Sequence, residues 1–288
     1  MHMRVLVFPF LAALALLWPL RSAGAVEKKG RLVQLSVDVR YYYGRWQWGD
    51  FKMTPRAGMA GPDLRLELQE GRWAMFATYL SGDFAAVGVT PLSDPIYHSR
   101  KNFELTNSRE EFETGLEFRP WAYAGLALVY KLAQYDLVAD IELNSDQRYY
   151  GTGREQVVNE AWGWGIGFLP QVPLRRGLLL RGGFFYFPRL RAKAAGTYQY
   201  DMLYNSDRLD ERWFGRVGLR GFRGRSELTY VMAKIPISFS LGYFYQSLVE
   251  RKPVQEGWLE LYLTGQTRAR SWLEDRFHGV TIRAGFTF

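Results

Sequence analysis

The sequence predicts an all-β fold, a single transmembrane barrel whose antiparallel strands run up and down in chain order. Two observations support this prediction. Segments of about ten residues alternate apolar and polar side chains, with turn residues between them, as membrane-crossing strands do. In addition, no apolar run after the amino-terminal region reaches the ~20 residues that a membrane-spanning helix needs.

The amino-terminal region predicts a cleaved signal peptide. Arg4 precedes the apolar run VLVFPFLAALALLWPL, and residues 23–25 (AGA) have the small-x-small form of a signal-peptidase site. Two prolines interrupt the run, and it is shorter than the ~20 residues of a spanning helix. We therefore expect residues 1–25 to be removed on export and residues 26–288 to form one barrel domain.

The alternation predicts the strand number. The alternating segments are 32–43, 62–70, 72–82, 110–119, 122–135, 156–168, 177–187, 211–221, 226–234, 236–247, 256–265 and 277–288. The apolar parity changes between Leu219 and Leu228, so either two strands turn at FRGR or one long strand carries a bulge. The first alternative gives twelve strands and is favoured; the second gives ten, with 256–265 in a loop.

The last segment shows a resemblance. Val280, Ile282, Ala284 and Phe286 alternate towards Phe288. In these residues the chain resembles Gram-negative outer-membrane β-barrel proteins, whose last strand ends in an aromatic residue recognised by the barrel-assembly machinery. The resemblance names a class and no single family. It implies export to the outer membrane of a Gram-negative bacterium, with Phe286 and Phe288 as the assembly signal.

Turns and loops fit this class. Short links at 70–72 and 120–121 predict tight periplasmic turns, whereas the polar stretches 44–58, 83–108 and 139–156 predict long extracellular loops. A soluble β-sandwich or lipocalin-like barrel would also alternate. The face opposite the apolar residues carries charges and glycines, however, and these would fill the dry core of a soluble barrel or sandwich poorly.

Composition limits the chemistry and the partners. The chain contains no cysteine, which excludes disulfides, thiolate metal sites and a cysteine nucleophile. Its formal net charge of +8 falls by two when the arginines of the signal are lost. For a basic exported protein, the expected partners are outer-membrane lipid and lipopolysaccharide phosphates. The sequence has no run of Lys and Arg interleaved with aromatic residues, so it does not indicate nucleic-acid binding.

The segment EAWGWGIGFLP (160–170) alternates large apolar residues with glycine. We expect Trp164, Ile166 and Phe168 to face lipid and the intervening glycines to face the lumen. Glycine there leaves room for large inward side chains of neighbouring strands, for which Tyr123 and Arg119 are candidates.

The same face assignment gives the candidate lumen-lining residues. They are Arg40, Arg65, Glu67, Glu113, Glu117, Arg119, Lys131, Arg181, Arg216, Arg220 and Arg283. Asp38, Glu111, Glu227 and Glu260 are expected on the same face. Such residues can line a polar pore, or they can form ion pairs that fill the barrel. The near balance of the two signs favours ion pairs.

The sequence predicts no enzyme, cofactor or metal site. Barrel hydrolases pair a His with a Ser two residues away, but His98 and Ser99 are adjacent. Omptin-type proteases use an Asp pair and an Asp–His pair, and neither Asp-x-Asp nor Asp-x-His occurs. Asp94 and His98 could form a dyad, but a solvated loop explains them better. Two histidines after processing do not support a His-rich metal site.

Two functions remain compatible with these observations. The favoured one is a narrow porin-like channel for small solutes, with anions preferred because Arg is in slight excess. The alternative is a closed barrel with a structural or adhesive role through its extracellular loops, of which 83–108 is long enough to enter the mouth or to bind outside.

We expect Phe288→Ser to lower the amount of folded barrel in the membrane, because the assembly signal then lacks its terminal aromatic ring. Folded barrels migrate differently in unheated and heated samples, so gel electrophoresis of the membrane fraction measures the effect. An unchanged amount of heat-modifiable protein would contradict the resemblance.

Overall fold

The computed structural model describes most of the chain after the predicted signal. The described residues are 33–48, 51–53, 58–69, 71–91, 100–144, 149–175, 177–202, 208–232, 235–250, 254–255, 269–270 and 274–288. The predicted signal peptide lies outside them. Among the described residues, no helix is long and apolar enough to cross a membrane.

The described residues form thirteen strands. The strands are β1 (Val33–Trp48), β2 (Phe51–Met53), β3 (Gly58–Leu68), β4 (Trp73–Pro91), β5 (Arg100–Trp121), β6 (Ala124–Asn144), β7 (Tyr149–Arg175), β8 (Leu178–Met202), β9 (Arg208–Val231), β10 (Ile237–Glu250), β11 (Val254–Gln255), β12 (Ala269–Arg270) and β13 (Glu274–Thr287).

Ten of these strands close into a barrel. They form one antiparallel sheet in the order β1, β3, β4, β5, β6, β7, β8, β9, β10 and β13, and β13 pairs with β1. The short β2 pairs with the far end of β1, and β11 pairs with β12 in a separate ribbon. The predicted up-and-down barrel is confirmed. Its ten-strand alternative is also confirmed, and the favoured number of twelve is wrong.

The twelve-strand expectation failed at β9. Leu219 to Val231 pair with β10 without a register shift, so no turn occurs at FRGR. Leu219 is buried and Leu228 is exposed. The parity change therefore reflects apolar side chains on the inner face of β9 as well as on its outer face. The bulge lies instead in β8, between Phe187 and Leu190. Residues 256–265 lie outside the described chain.

An apolar band covers the outer surface of the barrel. Val39, Trp164, Ile166 and Leu241 each expose more than half of their surface, and neighbouring strands present similar residues. A contiguous exposed apolar surface of this extent belongs against lipid rather than water. Trp164, Ile166 and Phe168 thus lie on the outer face of the barrel, as the sequence predicts.

One end of the barrel carries short turns. Gly71 adopts a φ of +83°, which suits glycine, and its N–H donates to the Leu68 carbonyl at 3.2 Å. This turn is the one predicted at 70–72. The turn predicted at 120–121 lies two residues later, at 122–123, between β5 and β6.

At the other end the strands continue beyond the apolar band. β4 and β5 stay paired up to Pro91 and Arg100, and β6 and β7 up to Asn144 and Tyr149. The expected long loops 83–108 and 139–156 are therefore mostly hairpin. Beyond the lipid a strand no longer needs outward apolar residues, so pairing continues although the sequence alternation fades.

The glycines of the 160–170 segment make room for aromatic rings. A Cβ added at Gly165 would lie 2.6 Å from Phe187 Cδ1, and one at Gly167 would lie 2.7 Å from Phe185 Cδ1. The rings of β8 thus lean over β7. The expected neighbours were different, because Tyr123 lies exposed in a turn and Arg119 leans over a glycine of β6 instead.

We expect Gly165→Ala to lower the free energy of unfolding by about 1–3 kcal/mol, because the added methyl group would overpack against Phe187. Urea unfolding in lipid vesicles measures the change. Gly224→Ala is the matched control, since no atom lies within 4 Å of its Cβ position. Equal stability of the two variants would contradict the packing of β8 over β7.

Candidate functional site in the barrel lumen

The lumen holds most of the ionisable side chains of the described strands. Nine are basic, namely Arg40, Arg65, Arg109, Arg119, Lys131, Arg181, Arg223, Arg225 and Arg283. Eight are acidic, namely Asp38, Asp63, Glu67, Glu111, Glu113, Glu117, Glu227 and Asp275. The two signs therefore almost cancel within the described part of the lumen.

Two of the eleven candidate lumen residues are not among these side chains. Arg220 lies on the outer face of β9 with its side chain exposed, because the β9 residues that face inward have odd numbers. The expectation for Arg220 was wrong, since it treated Leu219 as lipid-facing. The side chain of Arg216 and the whole of Glu260 lie outside what the structure describes.

An outer network surrounds Asp275, near the extracellular edge of the apolar band. The Asp275 carboxylate accepts hydrogen bonds from Trp46 Nε1 at 2.7 Å, Tyr135 Oη at 2.9 Å and Gln246 Nε2 at 2.8 Å. Arg109 donates to both of its oxygens, at 2.7 and 3.1 Å. Five donor groups thus compensate a carboxylate that is almost fully buried.

Aromatic rings enclose the Arg109 guanidinium. Its Cζ lies 4.8 Å from the ring of Trp46, 4.9 Å from that of Tyr135 and 4.8 Å from that of Phe277. Glu111 accepts a hydrogen bond from Arg109 Nε at 3.0 Å. Two carboxylates and three ring faces therefore stabilise a cation that has no exposed surface.

Lys131 extends the outer network towards β9. Its Nζ donates to Glu111 at 2.7 Å, to Glu113 at 2.9 Å and to Gln246 at 3.1 Å. Glu113 also forms an ion pair with Arg223. This chain of contacts joins strands that are not neighbours in the sheet.

The contact between Tyr135 and Asp275 crosses the whole lumen. β6 and β13 are five steps apart in the ring of ten strands in either direction, so they lie on opposite walls. The 2.9 Å hydrogen bond between the two side chains joins these walls directly. At this level the side chains of the two walls therefore meet in the middle of the lumen.

A middle network fills the barrel inside the apolar band. Arg40 pairs with Asp63 at 2.5 Å and with Glu227 at 3.4 Å. Arg283 pairs with Asp38 at 3.4 Å and approaches Glu227 at 3.7 Å. All five side chains are nearly or fully buried. Buried ion pairs therefore occupy the lumen at this level as well.

A third group, the periplasmic cluster, lies near the short turns. Arg65 contacts Glu67 at 2.6 Å and Glu117 at 2.7 Å, and Arg119 also pairs with Glu117. Arg181 completes the cluster from β8. Buried Arg65 Nη2 and Arg181 Nε have no hydrogen-bond partner within the described chain. The cluster thus has three cations against two carboxylates.

Apolar side chains fill the rest of the lumen. Phe185, Phe187, Leu190, Leu219 and Leu248 form a buried cluster on the inner faces of β8, β9 and β10, with smaller residues of β6 and β7. The described part of the lumen is therefore filled by both apolar and polar side chains, and β9 carries both.

Sequence analysis missed much of the outer network. Arg109 and Asp275 fell just outside the predicted strands, and Trp46 fell in a predicted loop. Arg223 was assigned to the FRGR turn. The available signal was parity, since Arg109 shares its face with Glu111 and Glu113. Continuing each strand by one or two residues would have found it.

One of the two histidines that remain after the predicted cleavage lies among the described residues. His278 lies on the outer side of β13, where its Nδ1 is 2.9 Å from Tyr243 Oη. Within these residues no group of three or more His, Cys, Asp or Glu side chains could hold a metal ion. His98, Ser99 and Asp94 lie outside them.

Comparisons with known proteins support the architecture. No family model and no curated protein sequence matches the chain. The crystal structure of outer membrane protease OmpT from Escherichia coli matches with a TM-score of 0.57 and 11% identity, covering 93% of this chain and 100% of that one. The chain has the fold of an outer-membrane β-barrel.

Other outer-membrane barrels give lower scores. The translocator domain of the autotransporter NalP from Neisseria meningitidis has a TM-score of 0.46 and 9% identity, covering 91% of this chain and 90% of that one. The toluene transporter TodX of Pseudomonas putida has a TM-score of 0.36 and 10% identity, covering 90% of each chain. At these identities the likeness to OmpT concerns the fold and assigns no activity.

We expect Asp275→Asn to lower the free energy of unfolding by about 3 kcal/mol or more, because Arg109 then loses a buried charged partner. Asp140→Asn is the matched control. Asp140 pairs with Arg154 at 3.8 Å while both side chains are mostly exposed, so its loss should cost about 0–1 kcal/mol. Urea unfolding in lipid vesicles compares the two. A similar small loss in both variants would contradict the importance of the outer network.

Proposed function

We propose that the protein is a closed, non-conducting outer-membrane barrel that works through its extracellular wall. The hydrogen bond between Tyr135 and Asp275 across the lumen carries this proposal. It favours the second of the two functions that the sequence left open.

The burial of the lumen charges supports a closed barrel. Water in an open channel would wet the side chains that line it, yet Arg109 and Lys131 are 0% exposed and Arg40 is 1% exposed. Each of them contacts at least two acidic or polar groups. Opening a path would therefore break several buried ion pairs at once, which is costly in a low-dielectric interior.

The height of the wall supports an extracellular role. β7 has 27 residues, whereas a tilted strand crosses a bilayer with about ten. The hairpins β4–β5, β6–β7 and β8–β9 extend similarly beyond the apolar band. A barrel that served only as a membrane anchor would not need this additional paired structure, which offers a rigid surface for contacts outside the membrane.

A narrow channel for small anions remains the second candidate. The periplasmic cluster favours it, because Arg65 Nη2 and Arg181 Nε have no acceptor within the described chain. An anion entering from the periplasm would meet these groups first. Passage would then require the middle and outer networks to rearrange.

Conductance across a planar bilayer distinguishes the two candidates. We expect the purified, heat-modifiable barrel to show no discrete openings in a salt gradient, because ion pairs close the lumen at two levels. Discrete anion-selective openings of the unmodified protein would overturn the closed barrel and favour the channel.

A variant with a weakened lumen shows whether the bilayer measurement would detect an open barrel, so that the absence of openings in the unmodified protein is informative. Arg109→Ser and Tyr135→Ala remove contacts of the outer network, and Arg40→Ser and Arg283→Ser remove contacts of the middle network. The four substitutions together should produce a measurable leak. Arg220→Ala is the control, since this side chain lies outside the barrel and should leave the bilayer silent. A folded lumen variant that stays as silent as the control would contradict the role of the two networks in closure.

A further inference from the structure

The bulge in β8 determines which side chains face outward above the lipid. Before the bulge, Phe185 and Phe187 face the lumen; after it, Leu190 does so. The single additional residue reverses the parity. As a consequence Arg189, Arg191 and Lys193 have exposed side chains on the outer face, where a regular strand would have turned them into the lumen.

These three cations lie directly against the extracellular edge of the apolar band. In the register of β7 and β8, Arg189 is opposite Trp164 and Arg191 is opposite Trp162. Lys193 Nζ lies 5.2 Å from the centre of the Trp162 ring. The cations are therefore at the depth where lipid chains end and headgroups begin, beside aromatic residues suited to that boundary.

β9 adds a fourth cation to the same surface. Arg220 is exposed on the outer face and is placed opposite the bulge, next to Arg189. Below them Tyr186 and Phe222 continue the apolar band. We call the four residues Arg189, Arg191, Lys193 and Arg220 the basic patch.

The strands that precede β8 in the ring have the opposite charge on their outer faces. At the corresponding height the outer faces of β4, β5, β6 and β7 carry Asp83, Glu110, Asp136 and Glu160, and Glu160 is opposite Lys193 in the register. Acidic residues thus lie on β4 to β7 and basic residues on β8 and β9, and the two signs meet only where Glu160 is opposite Lys193. A solubilising surface needs only interspersed charges, so this separation indicates that the basic patch has an anionic partner.

We propose that the basic patch binds the phosphate groups of lipopolysaccharide in the outer leaflet. The patch lies at headgroup depth, it is cationic, and arginine binds phosphate oxygens through paired N–H donors. Anionic headgroups are concentrated next to the wall because the apolar band fixes the barrel in the bilayer. This site does not depend on whether the lumen conducts.

Binding of lipid A to the detergent-solubilised barrel, measured by native mass spectrometry over a concentration series, tests the proposal. We expect Arg189→Gln, Arg191→Gln and Lys193→Gln together to weaken binding at least tenfold. The matched control combines Asp83→Asn, Glu110→Gln and Asp136→Asn, which also changes three outward-facing charges, and should bind as the unmodified barrel does. Lipid A without phosphates should bind weakly to all three proteins.

Several outcomes would overturn the proposal. Equal affinity of the basic-patch variant and the unmodified barrel would do so, as would binding of phosphatidylglycerol as tight as that of lipid A. If the unmodified barrel forms a dimer that the triple variant does not form, and lipid A binding is unchanged, the patch would instead bind a second copy of the chain. Heat modifiability establishes that each variant is folded. If the triple variant does not fold, Arg191→Gln alone should weaken binding in the same direction.

Discussion

The pairing of β13 with β1 is the constraint on which the rest of the structure depends. A bilayer offers no water to unpaired backbone groups, so a sheet that crosses it must close. Closure gives every strand a lipid face and a lumen face. The register from Ser36–Thr287 to Trp48–Asp275 determines which residues face the lipid and which face the lumen. In a ring of ten strands the interior is narrow enough for side chains of opposite walls to meet.

Because the lumen is narrow, its charges must compensate one another. Each cation without water needs a carboxylate or a ring face, and the close balance between basic and acidic side chains meets this need. The ion pairs join strands that are distant in sequence, as Arg223 of β9 and Glu113 of β5 do. A register slip of one residue would turn these groups towards lipid, so the networks specify the pairing in addition to filling the space.

The sequence predicted the part of the fold that lipid imposes. Outward residues such as Ile166 and inward residues such as Arg40 alternate because two different environments lie on the two faces. Where that contrast ends, the prediction failed. Beyond the lipid the strands continue without a period, so 83–108 looked like a loop. On β9, Leu219 belongs to an apolar part of the lumen, and periodicity alone cannot distinguish an apolar interior from lipid.

Because of the bulge in β8, the number of residues at this point of the strand, rather than their type, determines which environment the following segment faces. Removing one residue between Phe187 and Leu190 would leave every side chain chemically unchanged. It would nevertheless exchange the inner and outer faces of all residues that follow on the strand. Insertions and deletions at this point are therefore far more disruptive than substitutions, and homologous chains can be aligned through β8 only if this extra residue is kept.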